Sequence, residues 1–136
     1  MKFSKKQIVA IVSVLILTPI GFGTKFYEGI LQEWINNYSG GVLYIIFWCL
    51  VVFIVFPNVK KIKIVIIVFL ATSVLEVLQL WHPAVLETIR SNFIGRTILG
   101  NSFNWWDFPH YITGSVLGYL ILTEIEKNKR RIRLFR

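Results

Sequence analysis

Four uninterrupted apolar blocks constrain this chain more than any other feature. They run from about Ile8 to Gly23, Gly41 to Phe56, Ile62 to Leu80 and Phe108 to Ile125. A helix rises about 1.5 Å per residue, so spanning the roughly 30 Å hydrocarbon core of a bilayer takes about 20 residues. Each block lies near that length, the second being short unless neighbouring residues extend it. With 55% hydrophobic and 16% charged residues and a mean hydropathy of +0.64, a water-soluble fold of 136 residues would have to hide more apolar surface than its core can hold. The expected fold class is an all-α membrane protein, one transmembrane domain over residues 1–136 with four transmembrane helices.

The formal charge of +8 raises the question of nucleic acid, and the placement of the basic residues decides against it as a partner. Lys2, Lys5 and Lys6 precede the first block, Lys60, Lys61 and Lys63 separate the second from the third, and six more lie in the basic tail 126–136. Lys25, Arg90 and Arg96 alone fall elsewhere. By the positive-inside rule both termini and the Pro57–Lys61 turn are cytoplasmic and the two longer loops face outward. Trp34, Tyr38, Trp81, Trp105 and Trp106 fall at or just beyond the outer ends, as an aromatic belt requires. The first block follows lysines as a secretory signal would, yet it offers no small-x-small cleavage site, so a retained helix is expected, bent or ended by Pro19.

The five residues PNVKK allow only a tight turn between the second and third blocks, hence a helical hairpin. Asp107 is placed to cap the last helix, with Pro109 in its first turn. In the loop from Trp81 to Trp106, Val85, Leu86, Ile89 and Phe93 recur at helical spacing after Pro83, predicting an interfacial amphipathic helix. The following stretch GRTILGNSFNWWD reads as a structured loop dipping toward the membrane, and KFYEGILQEWINNY as a second surface helix. Cys49 is a lone thiol inside an apolar block, a small core hydrophobe with no disulfide partner.

Glu76 is the one acidic residue well inside an apolar block, and an ionisable group there must face protein or water and find a partner. Thr72, Glu76 and Gln79, spaced four and three apart, share one helical face. On the predicted topology Gln79, His82, Arg90, Arg96, Asp107 and His110 occupy the same outer layer, with Arg96 the first partner for Glu76. The candidate binding residues are Glu76, Gln79, Arg96, Asp107, His110 and Tyr111. They support two readings, a satisfied network that fixes helix packing and an outward polar pocket for a lipid or lipid-linked headgroup, in which Arg96 would grip an anionic group.

A third reading, an intramembrane hydrolase or transferase using Glu76, Asp107 and His110, lacks a nucleophile elbow or phosphate loop; an oligomeric transporter would need polar groups through the full depth. The balance leans against an enzyme. No metal-ligand spacing occurs, and neither a metal nor a cofactor is expected. Gly114 and Gly118 form a GxxxG that permits close helix approach, within the chain or in a homo-oligomer.

The pattern E76-V-L-Q79, followed by Asp107, Gly114 and Gly118, resembles the VanZ-like membrane proteins. Taken with LQEWINNYSGGVLY and with Arg96, Thr97, Leu99, Gly100, Phe103, Trp105, Asp107, Tyr111 and Gly114, the chain is still more similar to a small bacterial group of uncharacterised inner-membrane proteins adjoining VanZ. In VanZ-like proteins an Asn usually stands where Tyr111 stands here. The resemblance implies a multi-pass protein of the bacterial cytoplasmic membrane and cell envelope, in a superfamily associated with low-level glycopeptide resistance. Membrane lipids and a lipid-linked envelope precursor are the partners it suggests, and it supplies no reaction.

Overall fold

The computed structural model describes residues 2–100 and 102–134, with side chains described as far as residue 128. All regular structure among the described residues is helical. In chain order the helices are α1 (Lys5–Gly23), the single turn α2 (Gln32–Trp34), α3 (Gly40–Val55), α4 (Lys61–Leu78), α5 (Ala84–Arg90), α6 (Phe93–Leu99) and α7 (Asp107–Leu134). Two stretches, Lys5–Phe26 and Gln32–Val55, are long and apolar enough to cross a membrane.

Helix α3 is the centre of the bundle, and α1, α4 and α7 pack around it. Its residues Ile45, Cys49 and Phe53 are fully buried and meet Ile64 of α4 and Leu122 of α7 in one core. Glycine makes the closest approach possible: a Cβ on Gly114 would stand 2.8 Å from the Val42 carbonyl oxygen, and one on Gly118 would stand 3.2 Å from Cys49 Sγ. The GxxxG face is thus occupied by α3 of the same chain, and a homo-oligomer would have to use another face.

Several boundaries differ from the sequence reading, each for a local reason. Helix α1 begins at Lys5 because Ser4 and Gln7 form a reciprocal capping box, and Gln7 Nε2 also donates to the Ile54 carbonyl at 2.8 Å, tying α1 to the end of α3. Pro19 lies inside α1 without ending it. The expected surface helix over KFYEGILQEWINNY does not form as a separate element. Leu31 takes a left-handed conformation at φ 62°, after which α2 and a π turn over Ile35–Ser39 run straight into α3. Lys25 Nζ reaches the Asn36 carbonyl at 2.8 Å in that widened turn.

At the other end α7 starts with Asp107 in its first turn rather than as its cap, and continues past Ile125 to Leu134. The basic tail therefore extends the helix, and residues 135 and 136 lie outside the described residues. Between α4 and α7 the long connection holds two short helices. Pro83 precedes α5; Asn92 caps α6 by accepting from the Gly95 amide at 2.7 Å, so the segment read as a dipping loop is helical in its first part.

Candidate functional site

Thr72, Glu76 and Gln79 lie on one face of α4 and its C-terminal turn, and all three are buried. The face opposite runs Ile62, Ile66, Leu70, Val74 and Val77, all about half exposed. Helical periodicity therefore turns the polar residues inward and the apolar ones outward, the reverse of a water-soluble helix.

Glu76 is only 1% exposed, and its carboxylate is held by three neutral donors. Tyr111 Oη donates to Oε2 at 2.6 Å, Gln79 Nε2 donates to the same oxygen at 3.1 Å, and the Asn104 backbone N–H donates to Oε1 at 2.9 Å. One carboxylate thus joins α4, the loop before α7, and α7 itself. Gln79 is pinned from above by Gly100, whose φ of 72° and close approach leave no space for a side chain: a Cβ would stand 2.3 Å from Gln79 Nε2.

Asp107 sits half-buried beside this carboxylate. Burial, and next the negative charge of Glu76, push its carboxyl up to about 6. Lys25 and His110 act on it in the opposite direction. His110 is turned elsewhere: its Nδ1 meets the Trp106 carbonyl at 2.6 Å and its ring stacks on Tyr38 at 4.7 Å. No hydrogen bond joins it to Glu76, while its charge acts on Asp107.

The arginine expected beside Glu76 is not there. Arg96, on α6, is exposed, and its side chain forms no hydrogen bond or ion pair among the described residues. Arg90, passed over as a site residue, is the buried one at 4% exposure. Its guanidinium donates to the Leu78 carbonyl at 3.1 Å, the Trp81 carbonyl at 3.0 Å and Glu87 Oε1 at 2.9 Å. It thereby ties the last turn of α4 and the residues just after it to α5. Glu87 in turn meets His82 Nδ1 at 2.8 Å, and the hydrogen bonds from His82 and then Arg90 hold its carboxyl below the usual range.

Two further contacts position the outer cap. Tyr44 Oη of α3 donates to the Ile98 carbonyl of α6 at 2.8 Å, and Phe22 of α1 lies 5.8 Å from Phe93 between ring centres. The cap presents Trp81, Val85, Phe93, Ile94, Trp105 and Trp106 outward, each at least three-fifths exposed. Among the described residues no three of His, Cys, Asp and Glu converge as a metal site would require.

Of the six expected site residues, the structure joins Glu76, Gln79 and Tyr111 directly, sets Asp107 against them, and leaves His110 and Arg96 outside the network. Asn104 was not foreseeable, because it contributes a backbone amide and carries no side-chain signature. Arg90 had one available signal, its position eight residues after His82 at the end of the α5 pattern, where a basic residue meets a helix end.

A family described as a protein of unknown function, DUF2809, matches this chain over residues 30–115, more than half its length. That span holds the whole Glu76 network and both short helices, and leaves out α1 and the basic end of α7. No curated protein and no solved structure matches.

Proposed function

Since the chain belongs to the uncharacterised DUF2809 family, we propose for it a binding role: a four-span protein of the bacterial cytoplasmic membrane, termini inside, that holds a lipid or lipid-linked headgroup at its outer end. The resemblance to VanZ-like proteins supports the envelope setting. The apolar ladders support the membrane crossings: Leu15, Ile16 and Ile20 on α1, the Ile62–Val77 face on α4, and Ile112, Val116 and Leu120 on α7 all point away from the bundle and are about half exposed or more. Patches of that extent are covered by lipid or protein. The spanning part of α7 starts beyond Asp107, and its basic continuation remains in the cytoplasm.

The observation that carries the headgroup reading is Arg96, exposed and unpaired among the described residues on a helix whose Phe93, Ile94 and Ile98 are exposed as well. Such a helix lies in the interface, apolar residues toward the acyl boundary. A guanidinium at that depth meets lipid phosphates, which its forked donors match in a charge-assisted geometry. Glu76, Gln79 and Tyr111 hold the floor on which α6 and the loop rest. Asp107, half-buried beside Glu76, and His110, stacked on Tyr38, lie at the same end of the bundle.

Native mass spectrometry of the gently solubilised protein tests this. Arg96→Ala is expected to lose retained lipid while keeping the helical spectrum of the native protein, and Arg96→Lys to retain part of it. Unchanged lipid retention in Arg96→Ala overturns the reading.

A further inference from the structure

The opposite end of the bundle holds a cleft of about 500 Å³, between the start of α1, the turn from α3 to α4, and α7. That volume falls within the roughly 300–1,000 Å³ typical of small-molecule sites. Lys6, Lys60 and Lys61 line it, with Asn58, Tyr119 and a single acid, Glu126. Three ammonium groups against one carboxylate leave the cleft positive, and Lys2, Lys5 and Lys63 surround it in sequence.

Two of its three cations are already ordered. Lys6 Nζ donates to the Pro57 carbonyl at 2.7 Å and stands 5.5 Å from the centre of the Phe53 ring, so its ammonium is held in place with donors to spare. Lys61 is paired with Glu126 at 2.5 Å. Lys60 is exposed and forms no side-chain hydrogen bond or ion pair among the described residues. Helix α4 begins directly after Lys60 with no side-chain cap, and although Lys63 and Ile64 donate back to the Lys60 carbonyl, the first-turn amides of Lys61 and Ile62 have no acceptor among the described residues. Tyr119, partly exposed, adds a hydroxyl donor. Ammonium groups, a hydroxyl and open amides are the donor set of a phosphate site.

We propose that this cleft binds a phosphate-bearing anion, either the headgroup of an anionic phospholipid in the inner leaflet or a free phosphate. A phosphate offers more acceptor oxygens than a carboxylate does, and the side chains of Lys6, Lys60 and Tyr119 line one cleft around it. Glu126 sets the strength of the site by neutralising Lys61. The proposal takes the membrane placement from the reading above and owes nothing to Arg96 or the outer cap.

The test uses the full chain in neutral detergent, titrated with phosphatidylglycerol carrying a photoreactive group, with labelled peptides mapped by mass spectrometry. Label is expected on residues 57–62. Near a surface each lysine contributes about 1 kcal/mol, roughly fivefold, to anionic lipid binding, so Lys60→Gln should weaken labelling about fivefold. Glu126→Gln should strengthen it severalfold; a residue that served only to hold α4 against α7 would weaken or leave it unchanged. Arg96→Ala should leave this label intact, which separates failure here from failure at the outer end. Competition by inorganic phosphate would assign the site to free phosphate, and competition by unlabelled phosphatidylglycerol alone would assign it to the lipid. Labelling elsewhere, or Lys60→Gln and Glu126→Gln both within twofold of the native protein, overturns the proposal.

Discussion

Tyr111→Phe removes one oxygen and leaves everything else in place. The ring that closes on Gly41 and lies 6.2 Å from Phe108 is retained, so packing hardly changes, and only the 2.6 Å bond to Glu76 Oε2 is lost. That oxygen then keeps Gln79 alone, at 3.1 Å. Hydrogen bonds between helices in bilayers average about 0.6 kcal/mol, whereas a bond to a charged group contributes about 1.5–3 kcal/mol. Glu76 is fully buried, and leaving a buried acceptor short of a donor costs about 1–3 kcal/mol, so the upper range applies. A loss of about 2 kcal/mol follows, roughly thirtyfold in the unfolding equilibrium. Reversible unfolding in mixed micelles, followed by tryptophan fluorescence, measures it, with Tyr38→Phe as a control expected to change stability by less than about 0.5 kcal/mol. A change in Tyr111→Phe as small as that of the control would refute the claim that neutral donors hold the Glu76 carboxyl in place.

Two more outcomes are expected in the same assay. Gly100→Ala forces a side chain at positive φ and against Gln79, and should destabilise by more than about 1 kcal/mol; an unchanged midpoint would show that the loop does not rest on Gln79. Asp107 is raised from its ordinary 3.8 to about 6 by burial and then by Glu76, so the fold favours the protonated form. Its contribution is fully present below pH 3.8 and is lost as pH rises through about 6. Asp107→Asn, neutral throughout, should flatten the fall in stability between pH 4 and 7; an undiminished slope would place the titration on another group.

The helical character and the buried polar face were legible because each follows from periodicity and the cost of burying a charge. Thr72, Glu76 and Gln79 fall on one side of a helix at any register, and Ile62, Ile66, Leu70 and Val74 on the other. The extension of α3 back to Gln32 was not legible, since it depends on a π turn and on the left-handed Leu31, neither of which has a residue preference strong enough to read. The end of α7 was placed too early because the rise of charge after Ile125 marks where an apolar span stops. Lysine and arginine are good helix formers, and the backbone continues through them to Leu134.

The exchange of Arg90 for Arg96 shows where sequence spacing stops being informative. Both are basic residues in one connection that follows the same carboxylate in sequence, and a buried acid on its own suggests a basic partner. Yet Glu76 is supplied by a hydroxyl, an amide side chain and a backbone amide, which fill its acceptor sites without burying a cation beside it, whose desolvation would cost several kcal/mol. Arg90 is buried against a different set of acceptors, the Leu78 and Trp81 carbonyls and Glu87 Oε1. With Arg90 so engaged and Glu76 satisfied, nothing in the described chain draws Arg96 inward. It stays on the rim among Phe93, Ile94 and Ile98, which is the position the proposed headgroup contact requires of it.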